Sequence, residues 1–393
     1  MAVEGEQMHK LRTLTAGIAA AAAIAIVASA AVPALADPPT SKGKQIVPAT
    51  YDLVSVGSNT DENLFNALSG AYDATIPAKE HGTAHPYLYT WNATKPGSTS
   101  TTATSIVPKA GCKSITRPNG SGAGLTALDE SQAVTYKGKS YPCIDFARSS
   151  SGRSSTAPAA KKGGVEYVSL DEDAVTYATR DTGATKTVPA TYAPKTLTLA
   201  QLRDIFLCTD TTWGEVGGTA GEPIKAYLPQ PGSGTLSFFL KVLGITTPGS
   251  CVSEAPEENQ GLSSFFNSPD AIFIYSVADW IAQKYRSPLP GHAPTKSQNQ
   301  FGTDQVGYLG LNKIDGVSPV TSAKIPSINT AFKSTGFTRT IYDIVRWSAT
   351  ADHIPAVENG ILSRTGYFCK NAKAKTLIED YGFLPIATCG SVS

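Results

Sequence analysis

The chain has 393 residues, with 33 Lys+Arg against 32 Asp+Glu and a formal net charge of +1, so it lacks the basic excess by which proteins grip nucleic acid through bulk charge. Hydrophobic residues make up 41% and charged ones 17%, which is enough apolar surface to bury a core and excludes wholesale disorder. At about 100–200 residues per domain the length predicts two or three lobes.

The N-terminus reads as an address. Lys10 and Arg12 precede an almost wholly apolar Ala16–Ala31, and Ala34-Leu35-Ala36 is a small-x-small cleavage pattern ahead of Asp37. This predicts a cleavable secretory signal over 1–36, with no Cys after it to carry a lipid. The product is then secreted or held at the cell surface. Beyond it no apolar run reaches the roughly 20 residues of a membrane span.

Residues 51–56 alternate as a strand, a Gly-Ser-Asn-Thr loop follows, and Leu64, Phe65, Leu68 and Tyr72 recur at helical spacing. Residues 93–108 are rich in Thr, Ser and Pro and read as a surface loop. A polar turn at 117–124 feeds a helix at Leu125–Leu128. Cys143–Ser150 is a short buried strand, 149–164 a mobile polar stretch, and 165–178 two strand-like runs. Leu199–Leu207 reads as a helix with Thr198 as N-cap. Ile224–Pro229 is a strand, and Gly232-Ser233-Gly234-Thr235 opens a helix over Leu236–Leu243. Ala271–Ser276 is a strand, Val277–Tyr285 a helix, 304–321 a hairpin, Thr338–Trp347 a strand, and 354–383 mostly helical. Strands alternating with helices predict an α/β fold. There is no internal repeat.

All six cysteines lie beyond the signal. An even count in an exported chain, without CxxC or a Cys/His cluster, points to disulfides rather than zinc. They fall into sequential pairs, Cys112–Cys143, Cys208–Cys251 and Cys369–Cys389, which are the expected bridges.

Three stretches share one design: Gly57-Ser58-Asn59-Thr60, Asn119-Gly120-Ser121-Gly122 and Gly232-Ser233-Gly234-Thr235. Each precedes a predicted helix, whose first N–H groups lack partners and carry partial positive charge. Gly admits a close ligand and Ser or Thr adds a hydroxyl, the ingredients of an anion site. Each could equally be an ordinary cap or turn. Arg148 ends an apolar strand beside Ser149 and Ser150, where a guanidinium can meet an oxyanion with two hydrogen bonds.

Catalytic patterns are missing. There is no GxSxG elbow and no GxxxxGK[ST] phosphate loop. His81 and His85 sit in HGTAHP, a loop rather than a helix face, so no metal is expected. The carboxylates of Glu166, Asp171 and Asp173 are expected on a solvated loop.

Taken in order, VSVGSNTDENLFNAL (54–68), RPNGSGAGLTAL (117–128), DFARSSSG (145–152), LTLAQLRDIFLCTDTTW (197–213), YLPQPGSGTLSFFLKVLG (227–244) and FTRTIYDIV (337–345) resemble the substrate-binding proteins of phosphate ABC transporters, more closely their secreted actinobacterial relatives. The resemblance implies a two-lobed α/β fold of the periplasmic-binding-protein type II kind, with a mixed sheet in each lobe and a hinge of crossing strands. Residues 37–172 and 340–393 would form lobe I, and 173–339 lobe II. It implies a monomeric, non-enzymatic, cofactor-free receptor for phosphate or a similar oxyanion, working with an ABC permease. Ser233, Gly234 and Thr235 would hold the anion from one lobe; Ser58, Asn59, Thr60, Ser121, Arg148, Ser149 and Ser150 would hold it from the other.

The chain departs from the family at two places. Pro229 stands where the family has an Arg, and Ser150 where it has the Asp that accepts a phosphate proton; Arg148 is the expected replacement for the lost positive charge. A scaffold that kept the fold and lost its small ligand is the alternative reading. A hydrolase built on Ser58, Ser121 or Ser233 would need a histidine within reach.

Overall fold

Alternating residues around Val54 and Val56 form a strand that is buried along its length and has a parallel neighbour on each edge, an interior position in the sheet. This computed structural model describes residues 37–38, 40–41, 44–95, 102–155, 157–181, 189–285 and 306–393; the predicted signal lies outside them. In chain order the main elements are β1 (Leu53–Gly57), α1 (Glu62–Asp73), β2 (Leu88–Thr90), α2 (Ser121–Asp129), β3 (Phe146–Ser149), β4 (Val165–Arg180) and α3 (Leu199–Phe206). Then follow β5 (Lys225–Ala226), α4 (Gly234–Leu243), β6 (Ala271–Ser276), α5 (Val277–Tyr285), β7 (Leu309–Leu311), β8 (Thr338–Arg346), α6 (Ala356–Leu362), α7 (Tyr367–Lys370), α8 (Ala372–Asp380) and β9 (Leu384–Pro385).

The strands run in the order β5-β6-β4-β8-β3-β1-β2, and β7 and β9 also pair with β4. The centre is β4, a single strand of 16 residues where the sequence suggests two. Its first part lies antiparallel to β8, from Val165 opposite Arg346 to Ala174 opposite Thr338, with a register shift between Ser169 and Asp171. Its last part pairs with β6 from Val175 to Thr179 and with β7 from Ala178 to Arg180. The mixed α/β fold is therefore two-lobed: β1, β2, β3 and β8 build one sheet, β5, β6 and β7 the other, and β4 belongs to both. This continuity moves Glu166, Asp171 and Asp173 from the expected solvated loop to buried strand positions.

Residues 304–321, expected as a hairpin, behave otherwise. Among the described ones, β7 joins β4, while Lys313–Ile314 pairs in parallel with Thr196–Leu197. Helix starts follow local chemistry. Thr198 caps α3 through a capping box with Gln201, and the Ser233 hydroxyl accepts from the Leu236 N–H at 3.1 Å. α2 begins at Ser121 and α4 at Gly234, each earlier than the apolar spacing indicates. The disulfides are Cys112–Cys143, Cys208–Cys251 and Cys369–Cys389, as expected. Among the described residues no helix is long and apolar enough to cross a membrane.

Candidate anion cradle between the lobes

The first-lobe loop after β1 turns into α1 at Ser58–Asp61. The Ser58 N–H donates to Arg148 O at 3.1 Å, and the Thr60 N–H to Ser58 Oγ at 3.2 Å. This fixes Thr60 facing the second lobe. The second-lobe loop after β5 turns into α4 at Ser233, whose positive φ neighbour Gly232 (φ 90°) brings Ser233 and Thr235 to the helix start. Gly120, with φ 96°, lies so close to the Gly232 carbonyl that a Cβ there would overlap it; the Gly122 N–H donates to that same carbonyl at 3.2 Å. Gly234 likewise abuts the hydroxyls of Ser121 and Ser150 with no room for a side chain. Bare backbone is what lets the two lobes meet.

The loops converge on one anionic group. The Glu258 carboxylate accepts from Thr60 Oγ1 and Thr235 Oγ1 on one oxygen, each at 2.5 Å, and from Ser233 Oγ on the other at 2.5 Å. Thr60 and Thr235 hydroxyls stand 3.3 Å apart. Glu258 is 2% exposed and sits at the N-terminal end of α4, where the helix field favours negative charge. Beside it, Glu257 accepts from Asn59 Nδ2 at 2.6 Å and from Asn119 Nδ2 at 3.1 Å. Gln230 ties the two together, donating to Asn119 Oδ1 at 3.0 Å and accepting from the Glu258 N–H at 2.8 Å.

Of the expected site residues, Thr60, Ser233 and Thr235 meet at Glu258, and Asn59 at Glu257. Ser121 and Ser150 form an adjoining pair, with hydroxyls 3.3 Å apart and the Ser150 N–H donating to Ser121 Oγ at 3.0 Å. Ser149 turns aside: its hydroxyl donates to Ser151 O at 2.7 Å. Arg148 is fully buried, and its guanidinium faces away from the cradle into the first lobe. Its N–H groups go to Ser58 O at 3.2 Å, Ser55 Oγ at 3.2 Å, Thr90 Oγ1 and Trp91 O at 3.0 Å. The cation at the cradle is instead Arg339 on β8. It donates to Thr60 Oγ1 at 3.3 Å and Ser150 O at 3.1 Å, and it sits opposite Asp173, whose Oδ2 accepts at 2.8 and 3.1 Å. Arg339 lies in the FTRTIYDIV stretch; its signal was a positive charge at a strand position whose same-face neighbours Ile341 and Asp343 are buried. Glu257 and Glu258 carried no legible signal: they lie in a Pro- and Gly-containing loop that looks solvated.

Beneath the cradle lies a group of carboxyls on and around β4 and β8. Asp343 stands opposite Arg148, and Asp61 Oδ1 is 4.0 Å from Arg148 Nε. Burial pushes Asp61 up to about 6, against the pull of Arg148. Burial, with neighbouring carboxyls adding to it, holds Asp171 and Asp343 well above the ordinary carboxylate range. Both Asp171 oxygens accept no hydrogen bond from any described residue. Among the described residues no His/Cys/Asp/Glu group is arranged to hold a metal, and His81 is stacked on Tyr87 with ring centroids 3.4 Å apart. Among the described residues, the Ser58, Ser121 and Ser233 hydroxyls share hydrogen bonds with Thr60, Ser150, Leu236 and Glu258. A cavity of about 600 Å³ lies elsewhere, against α2, between Ile115, Arg117, Ala127 and Ile144.

The family model for the PBP superfamily domain matches residues 93–331, well over half of the chain. The chain belongs to the PBP superfamily. Comparison with curated protein sequences finds no significant match. Among solved structures, this PBP-superfamily protein is similar to one from Clostridium perfringens, assigned as a phosphate ABC transporter substrate-binding protein and holding bound phosphate. Identity is 15% over 85% of this chain and 99% of that one, with a TM-score of 0.52. It is also similar to an ABC-type phosphate transport receptor from Vibrio cholerae, at 17% identity over 85% and 99%, with a TM-score of 0.49. At such identities the likeness is one of fold.

Proposed function

We propose that this chain is an extracytoplasmic solute-binding protein that captures a tetrahedral inorganic oxyanion, phosphate first, between its lobes for ABC-type uptake. The observation that carries this reading is the convergence on one anionic group of three hydroxyls from two helix starts, Thr60, Ser233 and Thr235, with Arg339 behind Thr60. Hydroxyls gathered at a helix N-terminus are equipment for holding an anion. The Clostridium perfringens protein of similar fold holds bound phosphate, which supports phosphate as the first candidate. Ser121 and Ser150 complete the first-lobe side, and Arg339 takes the role expected of Arg148. The lobe limits remain those read from the sequence, with β4 and β8 as the crossing strands. Export by the N-terminal signal, a monomeric state and a permease partner belong to the same reading.

Isothermal titration of refolded, ligand-free protein with phosphate, sulfate and arsenate tests it. Heat on phosphate addition is the expected outcome; no heat and no thermal shift with any of the three overturns it. One observation favours the alternative, a scaffold that kept the fold without its small ligand: the Glu258 carboxylate already satisfies the cradle hydroxyls. That reading expects the same null titration even after Glu258 is removed.

A further inference from the structure

We infer that Glu258 is a tethered internal ligand of the cradle, which holds the lobes together without a guest and must be expelled before an oxyanion can enter. The inference rests on the oxyanion reading of the cradle and adds to it a built-in competitor. Its two carboxylate oxygens do what two oxygens of a tetrahedral anion would do. They collect Ser233 and Thr235 from the α4 start of the second lobe and Thr60 from the α1 start of the first. Both places cannot be filled at once, since each hydroxyl has a single proton to donate, and a second anion beside Glu257 and Glu258 would meet two like charges in a desolvated site.

The strap that carries Glu258 is built to present it. One end is stapled to α3's C-terminal turn by Cys208–Cys251. The other is pinned at Asn259, whose φ of 56° is a left-handed turn that Asn accepts readily. Asn259 Nδ2 donates to Asp279 at 2.5 Å, its Oδ1 accepts from the Ser276 N–H at 3.2 Å, and its carbonyl accepts from Tyr275 OH at 2.6 Å. Glu258 is thus fixed to the second lobe and makes its cross-lobe bond only when Thr60 is brought to it. A ligand attached to its own receptor acts at an effective concentration in the millimolar range, so a free guest competes against it at every encounter. The apparent affinity for a guest falls by the fraction of molecules in which the cradle is vacant.

The test uses the full chain, stripped of bound anion by unfolding and refolding, as wild type, Glu258→Ala and Glu258→Gln. Each is titrated with inorganic phosphate by calorimetry and measured by small-angle X-ray scattering with and without phosphate. Glu258→Ala is expected to bind phosphate at least about tenfold more tightly than wild type. Without phosphate it should be more extended than wild type, and it should contract when phosphate is added. Glu258→Gln keeps the shape without the charge and is expected to fall between the two; it also serves if the alanine variant does not fold. Wild type that binds phosphate, with both variants binding equally or more weakly, overturns the inference and leaves the oxyanion reading standing. Folded variants and wild type that all fail to bind, with identical scattering profiles, overturn both.

Discussion

The hydroxyl of Thr235 is asked to serve two acceptors in turn, the Glu258 carboxylate and the guest. Thr235→Val therefore weakens both partners in wild type and shows little net change in phosphate affinity. In a Glu258→Ala background only the guest remains. There, loss of a bond to a charged acceptor, worth about 1.5–3 kcal/mol, should weaken phosphate binding by at least about tenfold in calorimetry. Arg339 is a different case. It is 5% exposed and compensates Asp173, which is itself fully buried. Arg339→Ala leaves that carboxylate buried without its ion partner and should cost about 3–5 kcal/mol in urea unfolding. Arg339→Lys keeps the charge but not the planar fork that reaches Thr60, Ser150 and Asp173 together, and should cost less. The residue scale is also where the sequence was least legible. Arg148 looked like the anion's partner because it ends a strand amid serines. Strand alternation instead turns its side chain toward Ser55, Thr90 and Trp91, and nothing local in sequence reveals which face of a strand will meet the cleft.

Among elements, the most readable were those with a local signal. Thr198 and Gln201 announce the start of α3, and Gly232–Thr235 announces α4, because the cap chemistry is complete within a few residues. The strap at 251–260 was illegible because its structure comes from distant partners, Cys208, Ser276 and Asp279 among them. Its disulfide closes 43 residues, and in the chain-entropy model such a loop is worth about 4 kcal/mol. A Cys208→Ser/Cys251→Ser double variant should therefore unfold at markedly lower urea concentration. It should also loosen Glu258, seen as faster amide exchange across 254–260. β4 was misread as two runs for a related reason: Asp171-Glu172-Asp173 looks like a polar break, and only the distant β8, with Arg339 opposite Asp173, makes it buried strand.

At the scale of the molecule, the fold was legible because order and alternation of elements survive in the sequence, while the acid cluster was not. Carboxyls scattered from Asp61 to Asp343 become neighbours only when β4 and β8 cross. Buried carboxyls, Asp61 in that cluster and Asp73 and Glu358 outside it, make a pH prediction. Desolvation pushes Asp61 up to about 6, and Asp73 and Glu358 to about 7. Each favours its neutral form when folded and ionises near 4 when unfolded. Their contribution is full below about pH 4, falls as pH rises, and is lost once pH passes about 6 to 7. The thermal midpoint in a phosphate-free buffer series should accordingly decline between about pH 5 and pH 7.5. Glu358→Gln should flatten that slope, because its neutral amide no longer ionises.

The shared strand has a last consequence. The described chain from residue 37 onward forms one compact unit, and β4 supplies hydrogen-bonded edges to both sheets at once. Neither half can melt without stripping a partner from the other. Differential scanning calorimetry should show one heat-absorption peak, its van't Hoff and calorimetric enthalpies equal, and a weakening substitution on β1 or on β6 should move that same peak.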